Sequence, residues 1–150
     1  MPTEELPTLA EYRALAELRY QLRRFLHFSE AVARRAGLEP QQHQLLLALK
    51  GLPAPARPTI GTLAQRLCVA HHTAVALVDK LEAAGLTIRV RSERDRREVL
   101  LAITAEGERR LDELSSLHWR HLLTLAPDML HALQQLLDGD RGARFAQRTR

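Results

Sequence analysis

Two short runs of helical character, "TLAQRL" (62–67) and "HHTAVALVDKLEAAG" (71–85), are separated only by Cys68, Val69 and Ala70. Three residues cannot lead the chain far, so the two helices must pack directly on each other in a helix-turn-helix. In the second helix Ala74, Leu77, Val78 and Leu81 fall at i, i+3, i+4 and i+7, a spacing that assigns them to one buried stripe. The opposite side carries His72, Val75, Ala76, Asp79, Lys80 and Ala83.

The segment after this helix constrains the fold as strongly. Gly85 stops the helix, and "LTIRVR" alternates. Period-2 patterning predicts a half-buried strand with Leu86, Ile88 and Val90 inward and Thr87, Arg89 and Arg91 on a basic outer face. "EVLLAI" supplies a return strand, so residues 92–97 become a hairpin tip bearing Arg94, Arg96 and Arg97. Thr104 is placed to cap a long helix with Glu106 and Glu108 in its first turn, where the helix dipole favours negative charge. That helix is expected to run to about Leu125, and Pro127 to open a further one, "PDMLHALQQLLDG".

Upstream, residues 9–36 carry Leu15, Leu18, Leu22, Phe25 and Val32 on one helical face, with Gly37 as a stop. Pro40 opens a second helix that ends at Gly51, and "GLPAPARP" is a loop, since prolines leave no helical hydrogen-bond ladder. The tail "DRGARFAQRTR" is basic, poor in apolar residues and expected to fray. There is no internal repeat.

Composition excludes several classes. The chain of 150 residues, 45% of them hydrophobic, suits one domain with a core of its own. No stretch approaches the ~20 apolar residues of a membrane span, and the acidic start "MPTEELPTLAEYR" is unlike a secretory leader, which predicts a cytoplasmic protein. Cys68, the one cysteine, can form neither an internal disulfide nor a thiolate zinc site alone. Its place in the turn predicts a small buried side chain rather than a reactive thiol. No nucleophile with a base, carboxylate pair or phosphate-binding glycine loop is present, so an enzyme and a bound cofactor are not expected. The formal net charge of +4 makes a polyanionic partner plausible.

The order helix, helix, helix-turn-helix, β-wing, long helix resembles the multiple-antibiotic-resistance-regulator (MarR) family of bacterial transcription factors. The matching stretches are "IGTLAQRLCV", "TAVALVDKLEAAGL" and "DRREVLLAITAEG", with Asp95-Arg96-Arg97 before the return strand and Thr104 and Gly107 after it. The expected fold is therefore mainly α with a small β-hairpin, a single MarR-like domain. Residues 40–105 would form the winged helix-turn-helix, residues 9–36 and 105–138 dimerisation helices, and 140–150 a basic tail. Where many members have a capping serine and an outer-face arginine on the recognition helix, this chain has Ala70 and Ala76.

The resemblance implies a homodimer on a pseudo-palindromic stretch of double-stranded DNA, acting as a repressor. A helix fits the major groove and its N-terminal residues approach base edges and phosphates, which selects His71, His72 and Thr73, with Val75 and Ala76 for apolar contact and Lys80 as a backbone anchor. Arg91, Arg94, Arg96 and Arg97 are the wing contacts, Arg94 foremost, since a narrow minor groove concentrates negative potential. Asp95 would hold the turn by pairing with Arg96 or Arg97. Family members also bind small aromatic or anionic effectors between dimer helices and DNA-binding lobe, which points to Tyr20, Arg23, His27, His43 and Trp119. Rival readings are a winged-helix protein-interaction module and a metal-responsive regulator using His118, His121 and His27, although no resident metal is expected.

Overall fold

A computed structural model describes residues 6–148, with the side chains of Asp140, Phe145, Ala146 and Arg148 left aside. Its elements in chain order are α1 (Leu9–Arg35), α2 (Pro40–Lys50), α3 (Ile60–Leu67), α4 (His71–Ala83), β1 (Thr87–Arg91), β2 (Val99–Ile103), α5 (Ala105–Asp138) and α6 (Asp140–Arg148). Among the described residues no helix is long and apolar enough to cross a membrane. The chain divides into two compact units, Ser29–Leu117 and the parts that precede and follow it.

The central unit is built on leucine. Leu45 and Leu46 of α2, Leu63 of α3, Val78 and Leu81 of α4 are fully buried, and Leu86 and Leu101 close the same core from the hairpin. Each such side chain stabilises the fold by roughly 1.5–3 kcal/mol through burial. The stripe read from α4 is observed as such, with Ala74, Leu77, Val78 and Leu81 all buried. The unit also takes in the end of α1 and the start of α5: Val32, Ala33, Leu111 and Leu114 are buried, and Arg110 Nη1 donates to the Ala36 carbonyl at 2.7 Å.

The caps explain where the helices begin. The Thr59 hydroxyl accepts the Thr62 N–H at 3.1 Å, and Glu39 N–H donates to Gln42 Oε1 at 2.9 Å. Thr104 does double service: its hydroxyl accepts the Gly107 N–H at 3.1 Å and donates to the Gly85 carbonyl at 2.6 Å, fastening the start of α5 to the end of α4. Gly85 has φ +73°, the left-handed conformation that releases the chain from α4 into β1.

The hairpin is antiparallel, with Arg89 opposite Leu101 and Val90 opposite Leu100. Leu86 is buried and Arg91 exposed, as alternation suggested, but the facing of the residues between them is reversed. Thr87 and Leu101 are buried, whereas Ile88 and Val90 are exposed. Arg89 lies on the inward side with Thr87 because two carboxylates of α4 receive its guanidinium. A paired cation thus takes the place where an apolar side chain was expected.

In the other unit, Ala14, Gln21, Leu125 and Ala132 are buried, and Phe28 stacks on His121 with ring centroids 3.8 Å apart. Two expectations change here. Pro127 does not open a new helix but lies inside the continuous α5, where buried Leu125 and Ala132 on either side hold the helix against the loss of one hydrogen bond. The tail does not fray at once but forms α6, which Arg141 joins to Glu11 by an ion pair of 3.6 Å. The leucines of the α1 stripe are only partly covered, with Leu15 and Leu22 exposed.

Gly107 offers a test of how closely α5 seats on the hairpin. A Cβ there would collide with the Leu86 carbonyl oxygen and stand 2.6 Å from Ile103 Cγ2. Gly107→Ala is expected to lower unfolding stability by about 1–3 kcal/mol, as overpacking does. Gly61→Ala, whose nearest new neighbour is Thr59 Oγ1 at 3.9 Å, should cost nothing in the same urea titrations. Equal stability of the two variants would contradict this packing.

Candidate nucleic-acid interface

The turn between α3 and α4 requires a left-handed residue, and Cys68 supplies it at φ 54°. This conformation points the thiol outward: Cys68 is exposed, not the buried side chain expected from its place in the turn. Helix α4 then begins at His71 from an extended Ala70 that has no side chain to cap it. The first-turn N–H groups of α4 therefore receive no cap from Ala70, and this end of the helix carries the positive pole of the dipole. His71 and His72 are exposed there and Thr73 is half-buried. Ala76 and Lys80 follow on the exposed side, with Val75 half-buried between them.

Acidic groups on the same side would repel a polyanion, and their disposal is specific. Arg89 Nη2 donates to Asp79 Oδ1 at 2.6 Å, its Nη1 pairs with Glu82, and its backbone N–H donates to Glu82 Oε1 at 2.8 Å. The Asp79 hydrogen bond, followed by the charge of Glu82, holds the guanidinium above the ordinary arginine range. One cation thereby engages both carboxylates of α4, offsetting half of their charge, and ties the helix to the hairpin.

At the hairpin tip Arg94, Arg96 and Arg97 are all exposed, and among the described residues no ion pair engages them. Arg91 is exposed too, but its Nη1 donates to the Arg96 carbonyl at 3.0 Å, so it braces the tip. Asp95 holds the turn by a route other than the expected arginine pairing. Its Oδ1 accepts the Arg97 backbone N–H at 2.9 Å, and its carbonyl accepts the Glu98 N–H at 2.9 Å. A carboxylate two residues ahead of an N–H is the geometry of an Asx turn, which needs no guanidinium.

Sequence reasoning missed Arg57. It lies in the loop before α3, and its guanidinium meets Glu98 with an Nη2–Oε2 distance of 2.6 Å and Nε contacts of 3.0 and 2.9 Å. The same Nη2 donates to the Ser92 hydroxyl at 2.8 Å. A separation of 41 residues gives no periodic signal of such a pair.

The residues expected to meet an effector are distributed over both units. Tyr20, Arg23, His27 and Trp119 are exposed on α1 and α5 outside the central unit, and Arg24 lies 5.7 Å from the Tyr20 ring centroid. His43 belongs to the central unit and is buried at 1% exposure. His118 and His121 pack against Phe28, and among the described residues no group of three metal-ligating side chains converges.

These elements define a winged helix-turn-helix. The MarR family's sequence profile matches residues 36–98 of this chain. Over 87 residues it is 29% identical to the HTH-type transcriptional regulator FarR of Neisseria gonorrhoeae, a match covering 51% of this chain and 60% of that protein. The chain thus spans less than two thirds of that relative's length. Among solved structures, AbsC, a MarR family transcriptional regulator from Streptomyces coelicolor, superposes with a TM-score of 0.70 at 20% identity over 97% of this chain and 99% of its own. MepR of S. aureus, solved as a complex with DNA, gives 0.63 at 17% identity, covering 73% and 77% of the two chains.

Glu98 yields a prediction about pH. Hydrogen bonding from Arg57, ahead of its charge, lowers the Glu98 carboxyl below the ordinary value of 4.5. A lowered folded-state value contributes stability above the unfolded-state value and loses it as pH falls through the folded one. The pair is accordingly intact at neutral pH and opens only in acid. Carboxyl ¹³C titration should find Glu98 below 4.5 in the parent and back near it in Arg57→Ala; identical midpoints would mean that the pair does not form in solution.

Proposed function

We propose that the protein is a DNA-binding transcriptional regulator, a homodimeric repressor of a pseudo-palindromic operator, working in the cytoplasm and released by a small aromatic or anionic effector. The observation that carries this reading is the distribution of charge in the central unit. Asp79, Glu82 and Glu98 are each engaged by an arginine, while His71, His72, Lys80, Arg94, Arg96 and Arg97 stand exposed. Such a surface offers a phosphate backbone several free cations, with Glu93 and Asp95 the exposed carboxylates left in the tip loop.

In this reading the start of α4 enters the major groove. His71, His72 and Thr73 donate to phosphates or base edges, Val75 and Ala76 meet thymine methyls, and Lys80 anchors the backbone. The wing follows the adjacent minor groove, with Arg94 inserted, Arg96 and Arg97 on flanking phosphates, and Arg91 and Asp95 keeping the tip in shape. Few of these groups read bases directly, so shape and deformability of the DNA would supply much of the specificity.

Dimerisation is supported by apolar surface that the chain leaves uncovered. Leu9, Leu15, Leu22 and Leu26 of α1 and Leu123, Leu130, Leu133 and Leu137 of α5 are all at least 40% exposed. A second copy related by a two-fold axis would bury such a set symmetrically and present two winged units to half-sites about 10 bp apart. Residues 9–36 and 105–138 are its dimerisation helices, and 40–105 its DNA-binding lobe. Tyr20, Arg23, His27, His43 and Trp119 are the positions at which to test effector binding.

Selection from a random-sequence duplex pool should enrich a palindromic site. Affinity for it should fall linearly on a log–log plot against salt, by about 0.9 per phosphate neutralised. Arg94→Ala should weaken binding by about 1–3 kcal/mol with an unchanged melting temperature. Sedimentation equilibrium should show a dimer at micromolar protein. A monomer, or a pool without enrichment, would refute the reading and favour a protein-interaction module.

A further inference from the structure

The loop that carries the wing arginines is fastened at both ends to one residue outside the hairpin. Ser92 and Glu98 begin and close the loop, and the Ser92 N–H donates to the Glu98 carbonyl at 3.0 Å. Arg57 grips both side chains at once, the Glu98 carboxylate through Nε and Nη2 and the Ser92 hydroxyl through Nη2. That hydroxyl, 3% exposed as a residue, in turn accepts the N–H groups of Arg94 and Asp95 at 3.3 and 3.4 Å. Next to Arg57, the Pro58 carbonyl accepts the Leu101 N–H at 2.8 Å, so the backbone before α3 runs alongside β2. A shallow depression lined by Arg57, Arg94, Asp95, Arg97 and Glu98 marks the place.

We infer that Arg57 and Glu98 form a clamp that aims the wing arginines at DNA, which makes Arg57 a positioning residue; the inference rests on the DNA-binding reading above. The planar guanidinium matches a carboxylate with two parallel hydrogen bonds, and such a fork fixes orientation as well as distance. Both side chains are about one-third exposed or less, so water does not fully compete for the pair. A loop already ordered in the free protein loses less conformational freedom when its arginines meet the groove. An ammonium in place of the guanidinium lacks the planar fork and would not fix the carboxylate's orientation.

The clamp makes a prediction whose sign opposes simple electrostatics. Removing a carboxylate beside a DNA-binding loop ordinarily tightens binding, because one repulsive charge is gone. Glu98→Gln should instead weaken it, by about tenfold, and Arg57→Ala should do the same. The probe is a fluorescein-labelled duplex enriched by the parent protein from a random pool, with anisotropy read at fixed ionic strength using the full chain. In an Arg94→Ala/Arg97→Ala background either substitution should weaken binding much less than in the parent, since only Arg96 is left to aim. The reversed pair, Arg57→Glu with Glu98→Arg, should recover part of the affinity that either change alone removes.

Amide hydrogen exchange on the same proteins, without DNA, should speed up at residues 92–98 in Glu98→Gln and stay unchanged in α2, α3 and α4. Equal or tighter binding by Glu98→Gln overturns the proposal. So does a full loss on Arg57→Ala in the double-alanine background, which would mean that Arg57 touches DNA itself. If the parent protein enriches no duplex, the DNA-binding reading falls and the aiming role with it, while unaltered exchange at 92–98 would overturn the clamp alone.

Discussion

A two-stranded ribbon of five-residue strands is at best marginally stable in water, so the wing of this protein depends on what holds it from outside. Three contacts do so. Leu101 enters the leucine core, Arg89 is gripped by Asp79 and Glu82 of α4, and Arg57 grips Glu98 and Ser92 from the loop before α3. The first contributes most of the stability. The two arginine pairs contribute geometry: one relates the hairpin to α4, the other relates its tip to the backbone ahead of the helix-turn-helix.

The same pairs settle the electrostatics. Asp79 and Glu82, toward the C-terminal end of α4, would repel phosphate if those acids were free, and Arg89 reduces that repulsion by offsetting one of the two charges. Surface ion pairs of this kind add little to stability. Their weight here lies in which charges remain. The cations left uncompensated at the tip are those of Arg94, Arg96 and Arg97, and the helix start adds its own positive pole.

Much of this was legible in the sequence because local rules govern it. The α4 stripe, the three-residue turn, the Gly85 stop and the Thr104 cap each involve residues within a few positions of one another, and each is observed. The misreadings share one cause, a tertiary contact or backbone demand that overrides a local preference. Ile88 and Val90 face outward because Arg89, the less apolar neighbour, finds two acids on α4. Pro127 stays within α5 because burial at Leu125 and Ala132 outweighs one missing hydrogen bond. Cys68 points outward because the turn demands positive φ at that position, a requirement that composition does not reveal. Arg57 gave no local signal because its partners are 35 and 41 residues away.

The helices outside the central unit show the converse pattern. Along α1 the buried positions include Ala14, Gln21 and Ser29, while Leu9, Leu15, Leu22 and Leu26 are exposed. Gln21 is buried at little cost because its side chain is occupied, donating to Glu17 at 2.7 Å and accepting from Arg24 at 3.2 Å. On α1 small and satisfied polar residues thus face inward while several leucines face out, the reverse of the usual partition. The same sequence that completes its core within residues 29–117 thus leaves leucines of its terminal helices exposed, and the proposed dimer rests on that surface.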